Sequence, residues 1–273
     1  MIKIVLKFSA FLATIATPAL AQPPKEPDGW RLSVGAGALF SPTYEGDDDY
    51  RLSLLPNIQI AYGDRFFASV QDGVGYNAIN SERLRIGPIA RIKFSRDADG
   101  SQPFAIAGDR TTDLIGLGDV ATTIELGGFA EIDLGAITAS AEARQAVNGH
   151  DGFVIDAGAR YGGRTFAAGP PIIYSFGPRL KIVSDNYNEA YFGVSPGQAL
   201  ASGLPLYDPD GGVHSFGAGA TVILPIDRAN KMSAVFIAGY DRLVGDAGDA
   251  PLVQLRGSRN QAAVGLFFSY RLF

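Results

Sequence analysis

The sequence predicts an all-β protein: an antiparallel transmembrane β-barrel of about twelve strands, with ten as the other even count. Three observations lead there. Strand-length segments alternate apolar residues with small or charged ones from Trp30 onward, no segment carries a helical period of similar length, and the last ten residues, VGLFFSYRLF, form an aromatic strand instead of a polar tail. Alternation over roughly ten residues is what a wall with lipid on one side and a polar lumen on the other requires. A soluble β-sandwich, the alternative, uses shorter strands whose polar faces meet water.

The elements follow in order. Residues 1–21 carry Lys3 and Lys7, then the apolar run Phe8 to Ala19, then Ala19-Leu20-Ala21. These are the three parts of a secretory signal peptide, and the apolar run is shorter than the roughly 20 residues of a spanning helix. Residues 22–29 form a proline-rich, flexible lead-in, and 30–273 form the barrel. Trp30, Leu32, Val34, Ala36, Ala38 and Phe40 open the first strand; Pro56, Ile58, Ile60 and Tyr62 mark the second. After the tight turn YGDR, Arg65 to Asn77 reads as one strand. Leu84 to Phe94 follows, its inner face cationic with Arg85, Arg91 and Lys93. Ile124 to Ile132, Ile137 to Arg144, Phe153 to Tyr161, Ile172 to Ile182, Phe216 to Leu224, Met232 to Arg242 and the final strand complete eleven clear runs. An even count needs one more, which is expected in residues 95–121, at Gln102–Ala107.

The final strand puts Ala262, Val264, Leu266, Phe268, Tyr270 and Leu272 on one face, and Phe267 interrupts the other. A barrel must pair its last strand, because no backbone group at membrane depth can be left without a partner. Phe273 also resembles the carboxy-terminal signal read by barrel-assembly machinery.

Composition excludes several classes. The chain has no cysteine, so it has no lipid-anchored thiol, disulfide framework or thiolate metal site. Removing Lys3 and Lys7 with the leader lowers the 23 basic residues to 21, against 28 acidic ones. That balance argues against a nucleic-acid partner. No cofactor is expected, and the lipid of the outer membrane of a Gram-negative bacterium is the surrounding medium.

Charges fall on the inner faces of consecutive strands: Glu125 and Glu131, Glu142 and Arg144, Asp156 and Arg160, Arg179 and Lys181. Opposite charges on neighbouring strands can pair across a ladder. A lumen crossed by such pairs is narrow and partly filled, which suits a scaffold better than an open porin.

The loop segments SPTYEGDDDYRLSLLPNIQIAYGDRFFAS, GLGD, NGHDG, YNEAYFGVSPGQALASGLPLYDPDGG and DRLVGDAGDAPLVQLRGSRNQAAVGLFFSY occur in this order across the mature chain. They resemble the MltA-interacting protein family, also called MipA/OmpV. The resemblance implies an outer-membrane scaffold whose partners are a lytic transglycosylase and a peptidoglycan synthase. Other members are linked to osmotic response, adhesion or uptake, so a small-solute channel is the second reading. The most specific stretches, YFGVS and RLVGDA…P, make Tyr187, Tyr191, Phe192, Asp246 and Pro251 the candidate partner surface, with an aromatic interface belt the equal alternative for Tyr187 and Tyr191.

Enzymatic readings are weaker. His214 could act with Ser195, Ser202 or Ser215 in an outer-membrane lipid hydrolase if the fold placed them within hydrogen-bond reach. His150, in the NGHDG turn, reads as a plain polar residue. Glu45, Asp47, Asp48 and Asp49 could supply oxygen ligands to a divalent cation, but a solvated loop is the simpler reading. GAGALF and GAGA lie within strands with no helix following, so they are not phosphate loops. No catalytic and no metal residues are expected.

Overall fold

A computed structural model describes residues 29–101, 104–108, 110–165, 171–227, 229 and 231–273. The expected leader and the lead-in through residue 28 lie outside the described residues. The strands are β1 (Trp30–Pro42), β2 (Tyr50–Tyr62), β3 (Phe66–Ser69), β4 (Gly73–Tyr76), β5 (Ile79–Asn80), β6 (Leu84–Lys93), β7 (Ala105–Ala107), β8 (Thr123–Asp133), β9 (Ile137–Ala146), β10 (Phe153–Thr165), β11 (Ile172–Val183), β12 (Gly212–Pro225), β13 (Met232–Leu243) and β14 (Asn260–Arg271). Four short helices, α1 (Asp185–Phe192), α2 (Pro196–Ser202), α3 (Gly245–Asp249) and α4 (Pro251–Arg256), lie in two of the connections.

Pairing runs antiparallel around a closed ring. β1 pairs β2 on one side and β14 on the other, and β2-β3-β4-β6-β8-β9-β10-β11-β12-β13-β14 completes the circuit. That is a twelve-stranded barrel. Closure removes the sheet edges that hydrocarbon would leave without hydrogen-bond partners.

The twelfth strand is not where the sequence suggested. The run Arg65 to Asn77 is a hairpin, β3 and β4, so it supplies two strands in place of one. The Asp72 N–H donates to Ser69 Oγ at 2.8 Å and Gly73 adopts φ +80°, which reverses the chain. The Asp72-Gly73 dipeptide is a turn signal. Of the expected strand Gln102–Ala107, residues 102 and 103 lie outside the described residues. The rest gives β7, which pairs β2 through Leu52 and Ser53 and is no member of the ring.

Outward residues meet lipid. On β14, Val264, Leu266, Phe268 and Tyr270 are exposed, while Gly265 and Phe267 are buried. Phe267 lies over Gly37 of β1, where even a Cβ would fall 2.2 Å from its ring. The aromatic that interrupts the inner face therefore fills space left by a glycine across the seam. Trp30 packs on Tyr62 at 5.1 Å, and Phe40 stacks on Tyr50 at 5.0 Å, ten residues farther along β1. Ten strand residues span about 33 Å, or roughly 25 Å once tilted, which is the height of a barrel's apolar band between its aromatic girdles.

The two ends of the barrel differ. Trp30, Arg271 and short connections such as residues 63–65 and 134–136 share one end; residues 43–49, 94–122, 147–152, 184–211 and 244–259, with the short β3–β4 turn 70–72, form the connections on the other side. Short periplasmic turns and longer extracellular loops are the rule in such barrels. The long loops pack into a buried apolar cluster that includes Tyr187, Phe192, Leu243, Ala250 and Val253, with Leu114, Leu117, Leu204 and Leu252 in a second. The core of this protein is its loop cap.

Candidate functional site

Beneath the cap, one carboxylate braces the barrel. Glu45, from the β1–β2 loop, accepts hydrogen bonds from Lys93 Nζ at 3.1 Å, Lys181 Nζ at 3.2 Å and the Tyr187 hydroxyl at 2.8 Å; His214 Nε2 lies at 2.9 Å. Lys93 ends β6 and Lys181 lies near the end of β11. Around the ring, the β1–β2 connection, β6 and β11 are about a third of the circumference apart. One side chain thus ties three sides of the mouth together. Burial alone would raise the Glu45 pKa, but Lys181, Lys93 and His214 hold its carboxyl well below the usual carboxylate range.

A second network lines the wall. Arg144 on β9 donates to Glu125 of β8 at 2.6 Å and Asp156 of β10 at 2.6 Å, and also bonds Glu142 on its own strand. Glu142 accepts a second guanidinium, that of Arg91 on β6, at 2.8 Å. Glu125 is completed by His150 Nε2 at 2.9 Å. The Gly152 N–H donates to His150 Nδ1 at 3.0 Å, so Nδ1 is the acceptor and Nε2–H donates to the carboxylate. Arg144 and Glu125 are 6% and 4% exposed. Such a pair is far less screened than one at the surface.

The expected pairing of opposite charges on neighbouring strands is present at Arg144, and other pairs skip a strand. Asp156 of β10 bonds Arg144 of the neighbouring β9, as expected. Four residues along one strand separate Asp156 from Arg160 by about 13 Å, beyond side-chain reach. Arg160 instead lies 3.5 Å from Glu131, which also binds Arg85. Arg179 reaches over β12 to Asp241 on β13 at 2.7 Å, and Gly239 leaves room for its guanidinium. Each basic residue of β6 finds a carboxylate: Arg85 meets Glu131 on the adjacent β8, Arg91 meets Glu142 on β9, and only Lys93 is met from farther round the ring, by Glu45.

A cavity of about 1350 Å³ remains inside the barrel.

The candidate partner residues are not presented as a surface. Tyr187, Tyr191, Phe192 and Pro251 are buried, and they hold the cap together. The Tyr187 and Tyr191 rings pack tilted at 46° with centres 4.8 Å apart, Lys93 Nζ lies 4.0 Å from the Tyr191 ring centre, and Pro251 begins α4. Asp246 accepts from the Asp210 N–H at 2.6 Å, and its carbonyl accepts from the Tyr207 hydroxyl at 2.9 Å, joining the two helical loops. Burial and Glu45 together push the Tyr187 hydroxyl pKa well up, so it stays a donor.

The serine–histidine reading finds no pairing. Ser195 caps α2 in a reciprocal box with Gln198, and Ser202 donates to the Gln198 carbonyl at 2.6 Å. His214 faces Asn188 and Glu45 with its two ring nitrogens. The acidic run diverges: Glu45 points into the barrel, Asp47 is buried and accepts from Thr43 and the Asp49 N–H, and Asp48 and Asp49 are exposed.

Three features lay outside the sequence reading: the four loop helices, the hub role of Arg144, and Glu45 as a brace. The first had signals. Ser195-Pro196-Gly197-Gln198 is a capping box with proline at its first helical position, and Tyr187, Asn188, Tyr191 and Phe192 recur at helical spacing. Nothing local marks Glu45 apart from Asp47.

The COG4313 outer membrane channel from Pseudomonas putida F1 overlays with a TM-score of 0.40 and 11% identity, covering 91% of this chain and 98% of that one. The NanC porin gives 0.37 and 9%, covering 88% and 98%. OprD from Pseudomonas aeruginosa gives 0.35 and 14%, covering 90% and 66%. No curated protein matches the chain in sequence. The profile of the family described as MltA-interacting protein MipA matches residues 34–272, from within β1 to just past β14, and this outer-membrane barrel belongs to that family.

Proposed function

We propose that the protein is a closed outer-membrane scaffold that joins peptidoglycan-remodelling enzymes, a lytic transglycosylase and a peptidoglycan synthase, at the periplasmic face of the membrane. The family description supports a partner of the first kind. The observation that carries scaffold over channel is the Glu45 brace, which holds a packed loop cap across the mouth. Both partners act on a periplasmic polymer, so their contacts fall to the short-turn end, around residues 63–65 and 134–136, and not to the buried cap residues Tyr187 and Phe192. The role is structural and non-catalytic.

The test places a photo-cross-linker at Asp64 or Leu134 in the turns, and at Leu200 in the cap, in native outer membranes. Capture of the two enzymes from the turns but not from Leu200 is expected. Recovery of neither enzyme from any turn position would overturn the scaffold. The second reading, a small-solute channel, is favoured by the cavity of about 1350 Å³. Large, stable, ion-selective conductance of the wild-type barrel in planar bilayers would establish it in place of the first.

A further inference from the structure

We propose that the turn-side half of the lumen is a binding site for a small carboxylate carrying an apolar body, a role independent of the scaffold reading. The charge in this part of the cavity is unbalanced. Arg85 and Arg160 share the single carboxylate of Glu131, and their side chains are 48% and 55% exposed. Arg160 contacts Glu131 only at 3.5 Å, longer than a good charge-assisted bond. Two guanidiniums against one carboxylate leave a net positive charge facing the cavity.

Neighbouring acids do not cancel it. Eight basic and six acidic side chains line the cavity, and two of those acids, Glu142 and Asp156, are also bound by Arg144 behind the lining. A guanidinium presents its donors in a planar fork that matches the two oxygens of a carboxylate bidentately.

The apolar half of the site lies beside it. Phe67 of β3 and Phe129 of β8 meet edge to face at 5.7 Å and both line the cavity. Phe129 is two residues from Glu131 on the same inward face of β8. Gly75 on β4 makes this possible, since a Cβ there would lie 2.2 Å from the Phe67 ring. Aromatic rings on the inward face of a barrel have no lipid to meet. With Arg85 and Arg160 adjacent, they form the mixed lining, apolar walls with a few convergent charges, that small-molecule sites use. The loop cap closes the far end, so the ligand enters from the periplasm.

The test is calorimetric titration of the intact detergent-solubilised barrel with phenylacetate at fixed ionic strength, with empty micelles as blank. Acetate removes the apolar body and phenethylamine reverses the charge. Phenylacetate is expected to bind more tightly than either. Arg160→Gln should weaken phenylacetate roughly tenfold or more, Arg160→Lys less, and Phe129→Ala should bring phenylacetate down to the level of acetate. Equal binding of phenylacetate and phenethylamine by the wild-type barrel would overturn the site without recourse to any variant. So would an Arg160→Gln barrel, folded by its gel mobility, that binds phenylacetate as the wild type does.

Discussion

Replacing Arg144 by alanine tests the energetics of the lumen most directly. Three carboxylates converge on this guanidinium, with exposures of 4% for Glu125, 13% for Glu142 and 42% for Asp156. Removing one partner of a buried pair costs roughly 3–5 kcal/mol, because the remaining charge is left without compensation. The three losses are unequal. Asp156 is wet enough to contribute little, about 0–1 kcal/mol. Glu142 keeps Arg91, and Glu125 keeps only His150. The loss at Glu125 dominates, and about 3 kcal/mol is expected overall, at the low end for a buried pair. For a domain of this size that is roughly 6–12 °C in the midpoint of unfolding. The assay is the temperature at which the purified barrel loses its heat-modifiable gel mobility. Arg160→Ala serves as the internal comparison: its single 3.5 Å contact is half exposed, so it should cost about 1 kcal/mol or less. Adding Glu125→Gln to Arg144→Ala should recover part of the loss, since the stranded charge is then gone. Equal shifts for Arg144→Ala and Arg160→Ala would refute the reasoning, as would a double variant no more stable than Arg144→Ala.

The Glu45 carboxyl titrates well below its unfolded value, so its contribution is complete above that value, 4.5, and is lost as the pH falls through the depressed folded one. Limited proteolysis should therefore find the loop 43–49 protected from pH 8 to pH 5 and released in stronger acid, whereas Glu45→Gln should be cleaved throughout; a pH-independent wild type would count against the brace. Asp47 on the same loop behaves oppositely, because burial raises it to about 6: its ionisation works against the fold, so Asp47→Asn should raise the unfolding midpoint at pH 8 and leave it nearly unchanged at pH 4. Gly35→Val should prevent closure of the β1–β14 seam, since a Cβ there would lie 1.8 Å from the Phe268 carbonyl oxygen; a normally inserted, heat-modifiable Gly35→Val barrel would contradict that geometry.

The wall of this protein was written in its sequence. Whether a residue faces lipid or lumen depends on its neighbours two places away, so the alternation of β14 or β6 is read without knowing what lies across the barrel. The hairpin at β3 and β4 was legible too, in Asp72-Gly73, though hidden within a run of strand-forming residues. The loops differ. Tyr187 and Tyr191 look like a presented patch in sequence, because an aromatic pair gives no sign of which surface will cover it. Closure of the ring decides that, by bringing α1 over the mouth. Glu45 meets Lys93, Lys181 and His214 across 48, 136 and 169 residues of chain, and Arg144 reaches Glu125 across 19. The sequence alone determined which residues would line the lumen. Only the circumference of a twelve-stranded ring and the infolded first loop determined which of those charges would meet, because side-chain pairing depends on distances of a few ångströms that strand register and closure set together.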